Sequence, residues 1–324
     1  MNLIAKSLVG ASFAAILAGP ALAQTWDMPT PYPDANFHTV NIRQFAEDVS
    51  AATNGALTIT VHSNGSLIRH PEIRRTVRAG TVPIGEVLIS LAANENPLYG
   101  LDSVPFLATS YEDAFALYQA QKPALEEALA GEGLTLLFSV PWPPQGIYAK
   151  NEITRIEDLQ GLRFRTYNPG TGRIAEISGA TPVQVEVADL PTAFATGRVE
   201  ATITSTSTGV NSTFWDFVDY YHDTQAWLPR NMVFVNTAAF EALDEATRAA
   251  IREAAAAAEE RGWQLSQEDN AKSRAILEEN GINVIEPSEE LRAGFAAIGE
   301  QIAGEWAEQM GPTGTEILER FRAR

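Results

Sequence analysis

The sequence predicts an α/β protein with two domains. Strands and helices alternate with short turns in residues 37–91 and again in residues 162–206, the order that produces a parallel sheet covered by helices. A proline cluster at residues 141–144 separates the two stretches, as expected where a chain crosses between domains. Residues 239–280 are rich in Ala and Glu and contain no Pro, which predicts one long helix or two nearly continuous helices.

The elements of the first stretch follow from the spacing of apolar residues. Residues 37–49 place apolar side chains at helical spacing, whereas residues 57–61 alternate as a strand does. Pro71 suits the first turn of a helix, and Gly80 suits the position after its end. The other elements expected before the proline cluster are a buried strand at 82–91, a helix at 112–131 and a strand at 134–140.

The second stretch begins with a strand that carries two arginines. Residues 162–166 read Leu-Arg-Phe-Arg-Thr, so apolar and polar side chains alternate and Arg163 and Arg165 share one face. An arginine held on a strand presents a planar fork of donors that matches a carboxylate or a sulfonate, whereas the alternative is an ordinary surface salt bridge. The elements expected after this strand are helices at 172–178 and 190–196, strands at 182–187, 201–206, 232–235 and 282–285, and helices to the C-terminus.

The N-terminal segment has the pattern of a secretory signal peptide. Lys6 precedes an apolar core at residues 8–17, and small residues end the segment at Ala21-Leu22-Ala23. The apolar core is too short for a membrane anchor, and we expect cleavage after Ala23 and export to the periplasm. The chain contains no cysteine, which excludes lipoprotein attachment and disulfides.

Net charge restricts the possible partners. The formal net charge is −18, so nucleic acid and anionic lipid surfaces are not expected partners. An acidic protein that binds an anion needs positive groups concentrated in a cleft. The arginines that could supply them are Arg69, Arg163, Arg165, Arg173 and Arg230.

The patterns of common catalytic and metal sites are absent from the sequence. The four histidines are scattered, so we expect neither a metal site nor a cofactor, and we interpret His70 and His222 as surface or capping residues. Residues 170–175 (Gly-Thr-Gly-Arg-Ile-Ala) fit the glycine pattern of a dinucleotide-binding turn. They follow Asn-Pro rather than an apolar strand end, which favours a simple turn that starts a helix.

Several spaced motifs occur together in one order. They are residues 80–85 (Gly-Thr-Val-Pro-Ile-Gly), 104–107 (Val-Pro-Phe-Leu), 156–165 (Ile-Glu-Asp-Leu-Gln-Gly-Leu-Arg-Phe-Arg), 179–183 (Gly-Ala-Thr-Pro-Val) and 194–200 (Phe-Ala-Thr-Gly-Arg-Val-Glu). In this order the chain resembles the extracytoplasmic solute-binding proteins of tripartite ATP-independent periplasmic (TRAP) transporters, the DctP-like family. The resemblance covers nearly all of the chain after the signal peptide.

The resemblance implies a two-lobed periplasmic binding protein fold, with a ligand cleft between the lobes and a long helix that spans both. We expect residues 24–147 plus about 236–275 in lobe I, and residues 148–235 plus about 276–324 in lobe II. Such a receptor is not an enzyme: it captures a small organic anion and delivers it to membrane-embedded TRAP permease subunits. We expect a monomer. The alternative hypothesis is an exported oxidoreductase that uses the interlobe cleft.

The resemblance also indicates which residues bind ligand. The second arginine of the motif, Arg165, occupies the position that pairs with the ligand's carboxylate, and Arg163 is interpreted as structural. Thr204 stands where the family commonly has a ligand-binding Asn, and Gln145 where many members have a second Arg. These changes predict a singly charged organic acid, aromatic acids included, or a small sulfonate. The further site residues expected are Ser205, Trp142 and Trp215, with Phe37, Arg69 and Glu86 from the opposing lobe.

Overall fold

A computed structural model describes residues 24–323, and the expected signal peptide with its cleavage site lies outside these residues. The strands are β1 (Gln24–Pro29), β2 (Leu57–His62), β3 (Ile84–Leu88), β4 (Leu134–Pro141), β5 (Gln145–Ala149), β6 (Arg163–Thr166), β7 (Thr181–Gln184), β8 (Ala201–Ser205), β9 (Tyr220–His222), β10 (Arg230–Asn236) and β11 (Asn283–Ile285). The helices are α1 (Phe37–Ala52), α2 (His70–Arg78), α3 (Tyr111–Gly131), α4 (Pro169–Ile177), α5 (Leu190–Ala195), α6 (Thr206–Asn211), α7 (Thr237–Glu241), α8 (Glu245–Glu279) and α9 (Glu289–Arg322). These elements form two lobes, as predicted.

Lobe I contains two small sheets. β1 and β2 pair in parallel, whereas β10 lies between β3 and β4 and is antiparallel to both. The parallel sheet predicted for this lobe is therefore wrong beyond the β1–β2 pair. The cause is β10, which returns from the other lobe about 90 residues after β4 and enters the sheet in the opposite direction.

Lobe II contains a six-stranded sheet in the order β11-β9-β5-β8-β6-β7. Its strands β6, β7 and β8 are parallel and are connected through α4 and α5, which confirms the alternation predicted from the sequence. β5 is antiparallel to both of its neighbours, β8 and β9. The carboxyl ends of β6 and β8 consequently meet at one edge of the sheet, where α/β proteins commonly bind ligands.

The chain crosses between the lobes at the proline cluster, because β4 ends at Pro141 in lobe I and β5 begins at Gln145 in lobe II. Two segments differ from the expected division of the chain. β10 belongs to the sheet of lobe I, although residues 148–235 were assigned to lobe II. The second half of α9 packs its Trp306 and Ile317 against the cluster around Leu101 in lobe I. Neither long-range contact leaves a local signal in the sequence.

α8 joins the two lobes along its length of 35 residues, which corresponds to about 50 Å. Trp263 Nε1 donates to the carbonyl of Ser139 in lobe I at 3.0 Å, and Asn270 Oδ1 accepts from the hydroxyl of Thr206 in lobe II at 2.8 Å. The short α7 precedes it, so two nearly continuous helices form, as predicted. Within the described part of the chain, no helix is both long enough and apolar enough to span a membrane.

Candidate ligand-binding site

A small cavity of about 40 Å³ lies where the two lobes meet the crossing strands. Lobe I contributes the segment after β1, the start of α2 and the end of β3, whereas lobe II contributes the ends of β6 and β8. The residues that line the cavity are Tyr32, His70, Leu88, Leu91, Trp142, Gln145, Arg165, Tyr167, Glu186, Val187, Thr204, Ser205, Thr208 and Pro229. The cavity therefore contains five of the nine predicted site residues: Arg165, Gln145, Thr204, Ser205 and Trp142.

Arg165 is held rigidly near the carboxyl end of β6. Its Nε donates to the carbonyl of Val185 at 3.0 Å, and its guanidinium lies over the ring of Tyr167 at 4.5 Å from the centroid. Only 3% of the residue is exposed. Its two terminal nitrogens have no hydrogen-bond partner within residues 24–323, so the donor fork is free to bind a group inside the cavity.

Arg165 differs from the other buried arginines of residues 24–323, Arg74 and Arg230. Arg74 forms ion pairs with two glutamates, and Arg230 lies 3.6 Å from the carboxylate of Asp102. No described carboxylate lies within 4.0 Å of the Arg165 guanidinium. Burial lowers the pKa of Arg165 to about 10, because the loss of water around the guanidinium outweighs the opposing effect of Tyr167, Glu186 and Tyr32. An anionic ligand would supply a counter-charge.

Uncharged polar groups form the wall beside Arg165. The amide of Gln145 is held at both ends, because its Oε1 accepts from the hydroxyl of Tyr167 at 3.1 Å and its Nε2 donates to the carbonyl of Pro143 at 2.8 Å, which leaves one N–H free of these two bonds. Ser205 caps α6 through a hydrogen bond from the backbone N–H of Thr208 to its Oγ at 3.1 Å. The hydroxyl of Thr204 has no partner among the residues described and remains available.

Tyr32 and Trp142 form the aromatic wall, with ring centroids 4.9 Å apart at 70°. Asn231 fixes both rings, since its Oδ1 accepts from the Tyr32 hydroxyl at 3.1 Å and from Trp142 Nε1 at 2.8 Å. Behind it, Asn231 Nδ2 donates to Glu86 Oε1 at 3.2 Å, and the hydroxyl of Thr30 donates to Glu86 Oε2 at 2.7 Å. Glu86 thus supports the wall from behind and does not line the cavity.

His70 and Glu186 face each other across the boundary between the lobes. His70 Nδ1 lies 3.8 Å from Glu186 Oε2, and the backbone N–H of Leu88 donates to His70 Nε2 at 3.1 Å. Burial lowers the pKa of His70 to about 3, so the imidazole is neutral at pH 7. Burial raises the pKa of the Glu186 carboxyl, while Arg165 opposes that rise.

The remaining predicted site residues lie outside the cavity. Phe37 packs behind Trp142 with a centroid distance of 5.5 Å, and Trp215 packs against the core cluster of lobe II. Arg69 is exposed and pairs with Asp189 at 2.9 Å, which links lobe I to lobe II beside the cavity. Glu86 is the fourth, as described above. None of these four side chains reaches the space in front of Arg165.

Sequence reasoning missed several cavity residues, of which His70 is the most informative. The sequence predicts a surface or capping position for His70 and for His222, but both side chains are buried. Tyr167 could have been found, because it continues the alternation that places Arg165 on its face of the strand. The turn at residues 170–175 starts α4, whose N-terminus is capped by Asn168, as the structural interpretation predicted.

A larger groove of about 960 Å³ runs beside the cavity and shares His70 and Glu186 with it. Its arginines already have carboxylate partners: Arg74 pairs with glutamates, and Arg173 pairs with Glu305 at 2.8 Å. Arg165, which has no carboxylate within 4.0 Å among the described residues, lines the small cavity instead. We therefore assign the candidate anion site to the small cavity. Nowhere in residues 24–323 do three or more His, Cys, Asp or Glu side chains form a group that could hold a metal ion.

This fold, with a cation enclosed between two lobes, is that of a two-lobed solute-binding protein. Residues 32–309 match the model of the DctP family, bacterial extracellular solute-binding protein family 7, and the chain belongs to this family. The predicted family membership is confirmed.

Three solved structures are similar over nearly the whole chain. The chain is 46% identical to DctP6 and 42% identical to DctP7, two Bordetella pertussis extracytoplasmic solute receptors binding pyroglutamic acid, with TM-scores of 0.92 and 0.91. Each match covers 93% of this chain and 100% of the other. A TRAP solute-binding protein from a marine metagenome, specific for pyroglutamate and in complex with the co-purified ligand, is 39% identical with a TM-score of 0.90 and covers 94% and 100% of the two chains.

Proposed function

We propose that this protein is a periplasmic receptor of a TRAP transporter that binds pyroglutamate and delivers it to the membrane permease. The observation that carries the proposal is the buried guanidinium of Arg165, which has no carboxylate within 4.0 Å among the described residues and faces a cavity between the lobes. A ligand carboxylate would form a bidentate pair with it in a site of low polarity.

The size and polarity of the cavity support a small acid with a single charge. Among the described residues, Arg165 is the one cation that lines the cavity, whose volume is about 40 Å³. Leu88, Leu91, Val187 and Pro229 add an apolar surface that suits the methylene groups of a small ring. Pyroglutamate combines one carboxylate with a five-membered ring, whereas dicarboxylates would leave a second charge unpaired.

The relatives support the same ligand and the same partner. Three receptors that share 39% to 46% of their residues with this chain bind pyroglutamate. Delivery to a permease and location in the periplasm follow from the function of TRAP receptors and agree with the signal peptide expected from the sequence. The ligand itself undergoes no reaction in this scheme.

A thermal-shift screen followed by calorimetry tests the proposal. The panel contains L-pyroglutamate, L-proline, L-glutamate, glucuronate, benzoate and taurine, so that it separates small lactams, amino acids, sugar acids, aromatic acids and sulfonates. At a concentration about 100 times the Kd, a ligand stabilises the folded protein by about 2.7 kcal/mol. We expect pyroglutamate to raise the Tm by about 5 °C, since 1 kcal/mol corresponds to about 2–4 °C in proteins of about 150–250 residues and to the lower end or less in a longer chain. A larger shift with any other compound would overturn the assignment of pyroglutamate.

A further inference from the structure

His70 lines the cavity and carries a hydrogen-bond donor that no residue of the described chain accepts. Because the backbone N–H of Leu88 donates to Nε2 at 3.1 Å, the proton of the neutral ring is on Nδ1. Nδ1 lies 3.8 Å from Glu186 Oε2, which is too long for a hydrogen bond. The residue is 8% exposed and lines the cavity. The donor therefore faces the cavity without an acceptor among the described residues, and a ligand with an acceptor at this position would satisfy it.

Glu186 places an acceptor beside this donor. It follows β7 in lobe II and lines the same cavity; burial raises the pKa of its carboxyl, and the positive charge of Arg165 opposes that rise and favours the ionised form. An ionised carboxylate accepts hydrogen bonds and donates none. A ligand whose carboxylate binds Arg165 must therefore present a donor, and not a second acceptor, to Glu186.

A lactam fits this arrangement, because its N–H and its C=O lie on the same edge of the ring. We propose that the pair recognises the amide of the ligand: His70 Nδ1–H donates to the lactam carbonyl, and the Glu186 carboxylate accepts from the lactam N–H. The inference rests on the proposed function and names the groups that separate a lactam acid from other small acids. His70 belongs to α2 in lobe I and Glu186 to lobe II, so one amide connects the two lobes.

Three ring compounds separate the two contacts by calorimetry. Pyroglutamate has both groups, 5-oxotetrahydrofuran-2-carboxylate replaces the N–H by an oxygen, and cyclopentanecarboxylate has neither. We expect the wild-type protein to bind the lactam at least 10-fold more tightly than the lactone, because the lactone presents an acceptor to the Glu186 carboxylate. In Glu186→Gln the ratio should fall to about 3-fold or less, since the glutamine amide can donate to the lactone oxygen.

His70→Ala has a different expected signature. It should weaken the lactam and the lactone equally, by about 10-fold, and leave cyclopentanecarboxylate unchanged, because the last compound has no carbonyl to accept from His70. His70→Gln should restore part of the loss, because its side-chain amide can donate. Each readout compares ligands within one folded variant, so a general loss of binding cancels. Glu72→Gln, on α2 and half-exposed in an ion pair with Arg75, is the matched control and should leave both ratios unchanged.

The outcomes distinguish this inference from the function on which it rests. If wild-type protein fails to bind pyroglutamate, both are refuted. If it binds pyroglutamate and Glu186→Gln keeps the wild-type ratio, the inference is refuted and the proposed function stands. Equal weakening of all three compounds in His70→Ala would also refute the inference, because it would reveal a structural role for the histidine.

Discussion

Replacing Arg165 with methionine should abolish ligand binding and yet stabilise the ligand-free protein. Most buried residues give the opposite result, since their removal destabilises the fold. Arg165 is an exception because its charge is buried without a carboxylate partner among residues 24–323. Substitution of Arg165 is therefore expected to raise the free energy of unfolding, whereas substitution of a buried residue that stabilises the fold lowers it.

The magnitude follows from the surroundings of the guanidinium. Burial lowers the pKa of Arg165 well below its usual value, to about 10, which corresponds to a cost of about 3 kcal/mol at about 1.4 kcal/mol per pH unit. Arg165→Met removes this cost, and it also removes the hydrogen bond to Val185 and the contact with Tyr167, worth about 1 kcal/mol each. The expected net change is a stabilisation of about 1 kcal/mol, measured by urea unfolding without ligand.

Two variants provide the comparison for Arg165→Met. Arg165→Lys keeps a charge and loses the planar fork, so pyroglutamate affinity should fall by a few kcal/mol in calorimetry without the gain in stability. Arg230→Met leaves the buried carboxylate of Asp102 without its partner and should destabilise the protein by about 3–5 kcal/mol. If Arg165→Met destabilises as strongly as Arg230→Met, or still binds pyroglutamate like wild type, the argument for a free cation fails.

Three further predictions concern stability and the cavity wall. Burial lowers the pKa of His70 from its usual 6.5 to about 3, so the stability that the neutral imidazole contributes is fully present above pH 6.5 and is lost as the pH falls toward 3. In urea unfolding, the advantage of wild type over His70→Gln should shrink by about 2 kcal/mol between pH 7 and pH 5, and a constant difference would contradict this. Asn231→Leu removes the acceptor of both aromatic wall residues and should lower the free energy of unfolding by about 2–4 kcal/mol. The same change should weaken pyroglutamate binding, and an affinity equal to that of wild type in calorimetry would argue against the positioning role of Asn231. The methyl group of Gly262→Ala on α8 would overlap Val140 and should destabilise the protein by about 1–3 kcal/mol. Gly172→Ala on α4 has open space around it and should stabilise the protein by about 0.5–1 kcal/mol. The reverse order of melting temperatures in thermal unfolding would contradict the packing argument.

Local patterns were sufficient to predict most of the elements and the position of Arg165. Period-two alternation places Arg165 on one face of β6, and apolar spacing predicts α1, β2 and the α7–α8 segment. These features depend on residues close together in the chain. The same limit explains the incorrect parallel sheet of lobe I, because the insertion of β10 between β3 and β4 depends on residues about 90 apart in the chain or more.

The composition of the cavity was harder to predict for the same physical reason. His70 has polar and proline neighbours in the sequence, which suggested a surface position, but lobe II covers it and the backbone N–H of Leu88 binds its ring. Trp142 and Trp215 both lie near polar or proline-rich bends, yet the first lines the cavity and the second joins the core of lobe II. Their sequences do not distinguish them, since the difference arises from which lobe packs against each indole.

The distribution of charge between the lobes explains why ligand binding should drive closure. Arg165 and Glu186 belong to lobe II, whereas His70 and the Tyr32 ring belong to lobe I, so the complete set of contacts exists only when the lobes meet. Closure on an empty cavity buries a cation and an imidazole N–H without partners, and both costs disappear when a lactam acid is enclosed. A ligand shifts a conformational equilibrium only by its difference in affinity for the two states. The ligand carboxylate contacts Arg165 in lobe II, and the ligand amide contacts both Glu186 in lobe II and His70 in lobe I. An acid without the amide should therefore bind to lobe II while favouring closure less.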